Sequence, residues 1–133
     1  MALITRSATA RVDASSAQFA PQISGDYLAG EDLDAAAPCY IKASDGKIYM
    51  SNGTAANEAA KFDGMTPRSY KAGEAVTLYG PGTKFEYATG MTIGADLFVG
   101  ATAGRLDTAA TTGGTTAIAR AITARIIQVR RYT

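Results

Sequence analysis

The chain has 133 residues, one Cys, no His and no Trp, and its 13 Lys and Arg against 12 Asp and Glu give a net charge of +1. This length suits one domain with a modest core, and the near-neutral charge gives no global indication of binding to nucleic acid or a membrane. The single Cys39 excludes an internal disulfide, and no apolar run is long enough for a membrane span or a signal-peptide core.

The charge is distributed unevenly along the chain. Residues 1–37 hold two Arg against five acids, residues 38–107 are balanced, and four Arg without any acid follow from residue 108 on. Opposite charges at the two ends would help neighbouring subunits to meet head to tail. The alternative interpretation is that these are ordinary solvated strand ends, and the sequence favours it.

Residues 1–37 are rich in Ala, Ser and Thr, and their large apolar residues are scattered without a period of two or of 3.6. Such a segment does not easily form a core of its own. It is either a partly disordered leader or an extended arm that orders on a neighbour, with Leu3, Ile4 and Phe19 as anchors. Isolated apolar residues favour the arm. We therefore predict an arm over residues 1–37 and a globular domain over residues 38–133.

The first segments of the domain have recognisable turn signals. The acidic stretch over residues 31–36 predicts one helical turn just before Pro38, where the domain begins. Residues 40–44 and 47–51 flank Asp45-Gly46, which predicts a β-hairpin with a two-residue turn. Residues 54–61 are rich in Ala and fit either a helical turn or a loop excursion.

Residues 72–108 are predicted to form a series of short strands separated by glycine-containing turns. Apolar residues alternate with polar or small ones here, which is the period of a strand that buries one face. The residues predicted to face the core are Val76, Leu78, Phe85, Tyr87, Leu97 and Val99.

The last part of the chain is ambiguous. Residues 108–116 are low in complexity and predict a flexible loop. In residues 117–133, Ile118, Ile122 and Ile126 lie at helical spacing. An alternation over residues 127–130 favours strand instead, with Thr123-Ala124 separating two strands. Periodicity leaves both interpretations open.

No group of residues predicts catalysis, a cofactor or a metal site. Cys39 has no His to activate it and is typical of a small buried apolar residue. Asp32 and Asp34 are conceivable as paired carboxylates or a weak cation site, but acids at such a position more often cap a turn or face solvent. Gly113-Gly114 lacks the Lys and Ser/Thr of a phosphate-binding loop. We predict that the protein is not an enzyme.

A small binding module for nucleic acid or glycan is the alternative function. Phe85, Tyr87 and Phe98 would then form a stacking platform, although a core position is the favoured interpretation of these aromatic residues. The cationic residues of such a module would be Arg120, Arg125, Arg130 and Arg131.

Three segments carry a family resemblance. They are Ala37-Pro38-Cys39-Tyr40-Ile41-Lys42 with Asp45-Gly46, then residues 72–80 (AGEAVTLYG), then residues 87–99 (YATGMTIGADLFV) with residues 104–108 (GRLDT). In this order and spacing they resemble the small capsid decoration (cement) proteins of tailed bacteriophages and prophages. The resemblance covers about residues 30–130 and only weakly includes the predicted arm.

The resemblance implies a small β-barrel-like domain of the β-tulip type, often with an extended N-terminal arm. It implies a homotrimer on the outer capsid surface that clamps adjacent major capsid subunits, without nucleic acid or membrane partners. It also makes Arg125–Arg131 a closing strand. Our own candidates for contact with the capsid or a neighbouring subunit, which no family motif supplies, are Leu3, Ile4, Arg6, Phe19 and the loops Asn52–Lys61 and Thr108–Thr116.

Overall fold

The fold, described by a computed structural model for residues 3–12, 22–23 and 27–130, is all-β. Eleven strands pair antiparallel in two sheets, and the helical structure within these ranges is a single 3-10 turn, Glu58–Ala60. The all-β prediction is therefore confirmed. Neither sheet closes into a barrel among the described residues, so the β-barrel-like and β-tulip details stay predictions.

The strands are short and follow the chain in order. Their bounds are β1 Arg11–Val12, β2 Gln22–Ile23, β3 Pro38–Ile41, β4 Ile48–Met50, β5 Gly64–Met65, β6 Leu78–Tyr79, β7 Lys84–Glu86, β8 Asp96–Val99, β9 Leu106–Asp107, β10 Ala119–Ala121 and β11 Ile126–Val129. One sheet has six strands in the order β1-β7-β11-β10-β8-β9, and the other has five in the order β2-β6-β5-β3-β4.

Alternating side chains build the core beneath the six-stranded sheet. Phe85 and Tyr87 are fully buried, whereas Lys84 and Glu86 on the opposite face of β7 are half-buried. This confirms the inward orientation predicted for the two aromatic residues, because successive side chains of a strand point to opposite faces. A second apolar cluster lies against the five-stranded sheet and includes Leu33, Ile48, Tyr70, Val76 and Leu78.

The C-terminal segment forms strands, as the resemblance implied. Arg120 lies opposite Gln128 in the antiparallel pair of β10 with β11, and Ile127 and Val129 are fully buried. The turn between the two strands is closed by Thr123, whose Oγ1 accepts hydrogen bonds from two backbone N–H groups. Pairing with neighbouring strands on both sides decides for strand the alternative that periodicity left open.

The predicted hairpin is present, but its predicted two-residue turn is wrong. Ile41 lies opposite Ile48, and the next pair, Lys42 with Lys47, closes a four-residue loop. The Asp45 carboxylate accepts hydrogen bonds from the Lys47 backbone N–H and the Tyr49 hydroxyl. The Asp45 side chain therefore bonds to residues that follow it in the chain, as in an Asx turn, and this favours a loop of four residues over one of two. The bond from Tyr49 lowers the pKa of Asp45.

The described residues of the predicted arm lie along the edges of both sheets. β1 is the outermost strand of the six-stranded sheet, and β2 is the outermost strand of the five-stranded sheet. At the other two edges, Leu3 forms a bridge with Asp107 of β9 and Ala29 forms a bridge with Ile48 of β4. Backbone hydrogen bonds of Ile4 and Gly30 support these two bridges.

Residues 27–37, which we had placed in the arm, pack as part of the domain. Leu33 and Ala37 are buried in the second cluster, and Leu33 forms a bridge with Tyr70. The helical turn predicted for residues 31–36 is wrong. The Glu31 and Asp32 carboxylates instead accept hydrogen bonds from the backbone N–H groups of Met50 and Ala72, and the segment ends in a turn in which Ala36 has a φ of 51°.

Candidate functional site

The first two predicted contact residues lie beside β9. Leu3 is 44% exposed, and its Cδ1 lies so close to Gly100 that a Cβ on that glycine would be 2.7 Å away. The Ile4 backbone N–H donates to the Leu106 carbonyl over 3.1 Å, and the Ile4 side chain packs against the first core cluster. Leu3 therefore presents an apolar surface to solvent, whereas Ile4 fixes the segment to the domain.

Arg6 is used within the chain. Its Nη1 donates to the Gly104 carbonyl at 2.9 Å, and its Nη2 lies 2.6 Å from Asp34 Oδ2. Only 10% of its side chain is exposed, so the guanidinium holds the N-terminal segment against the turn over residues 100–105. Its charge is largely committed to these contacts. The fourth predicted residue, Phe19, lies outside the described residues.

The two loops that we singled out meet each other. The Gly113 N–H donates to the Gly53 carbonyl over 2.7 Å, and the Gly53 N–H donates to the Gly100 carbonyl over 2.7 Å. A Cβ on Gly113 would overlap the carbonyl oxygen of Ala55, and one on Gly53 would overlap Thr111 Oγ1. Glycine at these two positions is what lets the loop backbones approach so closely.

Thr111 joins the loops to the sheet. Its Oγ1 donates to the Val99 carbonyl over 2.8 Å and accepts the Gly114 N–H over 3.0 Å. Beside this junction the loops enclose an open groove of about 750 Å³. Its lining includes the apolar residues Phe62, Val99 and Ile118, several Ala and Gly residues of the two loops, and polar residues such as Lys61 and Asp63.

Leu3, Arg6 and the Asn52–Lys61 loop therefore contact the turn over residues 100–105, and the Thr108–Thr116 loop joins them through Gly53 and Val99. Leu3 lies over Gly100, Arg6 binds Gly104, and Gly53 binds Gly100. We call this region the loop end. Sequence reasoning named its outer parts separately but missed the glycine contacts that join them. Gly113-Gly114 lies in the segment that we had interpreted only as a flexible loop, and nothing in the sequence around Gly53 indicates that the two loops meet.

The residues considered for catalysis have structural roles. Cys39 is buried, and its burial raises the pKa of the thiol, which disfavours the reactive thiolate. Asp32 caps the Ala72 N–H, and Asp34 pairs with Arg6. In residues 3–12, 22–23 and 27–130, no group of three or more His, Cys, Asp or Glu side chains could hold a metal ion.

The stacking platform of the alternative function is mostly internal. Phe85 and Tyr87 are completely buried, as their core interpretation predicted, whereas Phe98 is half-buried. The Tyr87 hydroxyl accepts the Leu106 backbone N–H over 3.0 Å, and burial raises the pKa of this tyrosine. Buried rings have no face available for a base or a sugar.

Three of the C-terminal arginines lie on the solvent side of the six-stranded sheet or at its border. Arg125 pairs with Glu86 over 2.8 Å, and Arg11 of β1 binds the same carboxylate over 3.1 Å. Arg130 donates to Gln128 Oε1, and Arg120 is exposed opposite Asp96 of β8. Arg131 lies outside the described residues.

Comparisons with known proteins returned no match of any kind: no family model, no curated protein and no solved structure matches the chain. Among the described residues there is no helix long and apolar enough to cross a membrane.

Proposed function

We propose that the protein is a structural virion component that binds the outside of a phage capsid and stabilises it by clamping neighbouring major capsid subunits. The sequence support is the order and spacing of the three segments that resemble capsid decoration proteins. The structural observation that carries the proposal is the loop end, where contacts through Gly53 and Gly100 join two loops to an exposed apolar residue of the N-terminal segment.

Adhesion of this kind needs complementary surface rather than a reactive group. Leu3 offers exposed apolar area whose burial against a capsid subunit is favourable, at roughly 25 cal/mol per Å². The glycine contacts and the Arg6 bonds hold the parts of the loop end in place before binding, so little conformational entropy is lost on docking.

A homotrimer would multiply weak contacts. Three copies of the loop end in one particle raise the effective concentration of the second and third contact once the first has formed. Because the protein would bind the assembled shell and not its separated subunits, binding shifts the assembly equilibrium toward the intact shell. The trimer is part of the proposal and comes from the resemblance.

Co-sedimentation with shells tests the proposal. Purified protein is mixed with mature capsids that lack it and with unexpanded procapsids, and light scattering measures the mass of the free protein. We expect saturable binding to mature shells and the mass of a trimer. No binding to any shell would overturn the proposal, and a monomeric mass would overturn the trimer alone.

Two variants locate the interface. Deletion of residues 1–25 should abolish saturable binding, but it also removes β1 and β2, so its fold must be verified by circular dichroism. Leu3→Asp is the sharper change because the side chain is already exposed. Leu28→Asp is its matched control, since Leu28 is 41% exposed and also lies in an isolated bridge. We expect Leu3→Asp alone to weaken binding.

The nucleic-acid module is the second candidate, favoured by the arginines on one face of the six-stranded sheet. Its signature is retention on DNA at low salt that weakens steeply as ionic strength rises. Absence of retention at low salt would remove this candidate.

A further inference from the structure

The turn over residues 90–95 presents an exposed aliphatic residue far from the loop end. Ile93 is 69% exposed, the highest value among the large apolar side chains of the described residues. It lies before β8, whereas the loop end begins at Gly100, just after this strand. Four strand residues, Asp96–Val99, therefore place the two regions roughly 10 Å or more apart, at opposite ends of β8.

The turn is held firmly although its tip is exposed. The Met91 N–H donates to the Ala124 carbonyl over 3.0 Å, and the Gly94 N–H donates to the Ala121 carbonyl over 2.7 Å. Met91 also packs against the first core cluster. Ile93 is thus displayed on a pre-organised turn, and a rigidly presented aliphatic side chain loses little entropy when a partner buries it.

The surface next to this turn is cationic. We define the outer face as the solvent side of β1, β7, β11, β10 and β8 together with the residues that flank these five strands. Its charged residues within the described ranges are five cations and two acids, namely Arg11, Lys84, Arg120, Arg125 and Arg130 against Glu86 and Asp96. The outer face therefore has an excess of three positive charges, although the whole chain carries only +1.

Arg120 connects the two features. It is exposed on β10, and its Nη2 would lie 3.4 Å from a Cβ on Gly94, the residue that follows Ile93. An apolar anchor and a guanidinium therefore stand side by side at the same end of the sheet. Arginine is enriched in protein-binding hot spots, and an aliphatic side chain can serve as the anchor that fills a pocket at their centre.

We propose that Ile93 and the outer face form a second docking surface that binds an acidic protein surface. This inference rests on the proposed function: a clamp needs two contact surfaces on different parts of the molecule, and the loop end supplies the first. The occupant would be an acidic patch on a neighbouring capsid subunit, with Ile93 in a pocket and Arg120 opposite a carboxylate.

A protein partner fits this surface better than the other anionic surfaces. Single-stranded nucleic acid is bound on exposed aromatic rings, but the candidate rings Phe85 and Tyr87 are buried and Phe98 is half-buried. A lipid surface is held by a broad apolar face, whereas Ile93 is a single exposed aliphatic tip between the small or polar residues Thr92 and Gly94.

Shell binding by two substitutions tests the inference. Ile93→Ser and Arg120→Glu change exposed side chains, so both variants should fold, as thermal unfolding would verify. We expect Ile93→Ser to raise the dissociation constant from mature shells roughly tenfold, the size of a moderate hot spot. Arg120→Glu should raise it at least as much and flatten its dependence on salt concentration. The matched controls are Leu28→Ser and Lys71→Glu, which alter exposed residues associated with the other sheet.

The possible results separate the two proposals. Normal shell binding by both variants, with wild-type protein binding saturably, would overturn the second surface and leave the proposed function standing. Absence of wild-type binding to any shell would overturn both. Wild-type retention on DNA or on anionic phosphatidylserine vesicles that Arg120→Glu abolishes, with shell binding unchanged, would overturn the acidic protein as the occupant.

Discussion

The N-terminal segment and the central strands of the six-stranded sheet are attached to the fold in different ways. β7, β11, β10 and β8 pair in consecutive registers over two or three residues, with one face buried. Residues 3–37, within their described ranges, attach through two-residue strands at the sheet edges and through single bridges. Strands that pair over several consecutive residues show alternating apolar and polar residues in the sequence. A segment that is attached one residue at a time shows no such alternation, even where it is buried.

The largest effect should come from Leu33→Ala. Leu33 is 2% exposed and lies in the second cluster, so its truncation leaves a cavity that costs about 2–5 kcal/mol of unfolding free energy. Urea unfolding measures the loss. Ile4→Ala, at a partly buried position, is the comparison. If Leu33→Ala lowers the unfolding free energy no more than Ile4→Ala does, residues 27–37 belong to the arm and not to the domain.

Gly113→Ala should be the next most damaging change. The added methyl group would overlap the Ala55 carbonyl, which forces the two loops apart and costs about 1–3 kcal/mol. The same unfolding measurement applies, with Thr112→Ala, at an exposed neighbour, as the control. Equal stability of the two variants would show that the loops are not locked to each other.

Tyr87→Phe removes one buried hydrogen bond and leaves the shape of the buried ring unchanged. The Leu106 N–H loses its acceptor in a buried position, and we expect a loss of about 1–3 kcal/mol. A buffer at neutral pH and chemical denaturation suffice for this comparison. A neutral effect would show that another group, or water, satisfies that N–H.

The same residue has a pH signature. Burial raises the pKa of Tyr87 above 10.0, the ordinary value that applies in the unfolded chain. As pH rises through 10, the unfolded state ionises first, so the contribution of Tyr87 to stability is complete below pH 10 and is lost above it. Tyr87→Phe should therefore lose less stability than wild type over this alkaline range. Parallel curves would contradict this assignment.

Arg6→Lys should have the smallest effect. Lysine carries its donors on one nitrogen and lacks the planar fork with which Arg6 reaches the Gly104 carbonyl and Asp34 from two separate nitrogens. The Asp34 side chain is 51% exposed, so solvent screens much of the ion pair, and we expect a loss of about 1 kcal/mol. Asp34→Asn, which retains the Gly104 bond, should cost less. The reverse order would place most of the stabilisation in the ion pair.

The sequence was informative where one side chain in two was buried. Phe85, Tyr87, Leu97 and Val99 could be assigned to the core from alternation alone. The strands at the C-terminus could not, because Ile118, Ile122 and Ile126 satisfy a helical period as well. Only tertiary pairing, with Ala119 opposite both Leu97 and Val129, distinguishes the two.

The burial of Leu33 and the loop end could not be predicted, because both depend on contacts between residues that are distant in the sequence. Leu33 looks isolated in the sequence, and its burial comes from Tyr70 and residues of other strands. The loop end depends on Gly53 and Gly113, which lie far apart in the chain. Local turn chemistry explains glycine at each position and gives no indication that the two meet.

The bridges at Asp107 and Ile48 have a consequence for the free protein. An outermost strand with unpaired N–H and C=O groups is a template on which further chains add, which leads to aggregation. In this chain Leu3 and Ile4 already occupy the side of β9, and residues 28–30 occupy the side of β4. The N-terminal segment thus covers these two edges and keeps other chains from pairing with them. Removing residues 1–12 should expose the edge of β9 and lead to fibrils at concentrations where the intact protein stays dispersed.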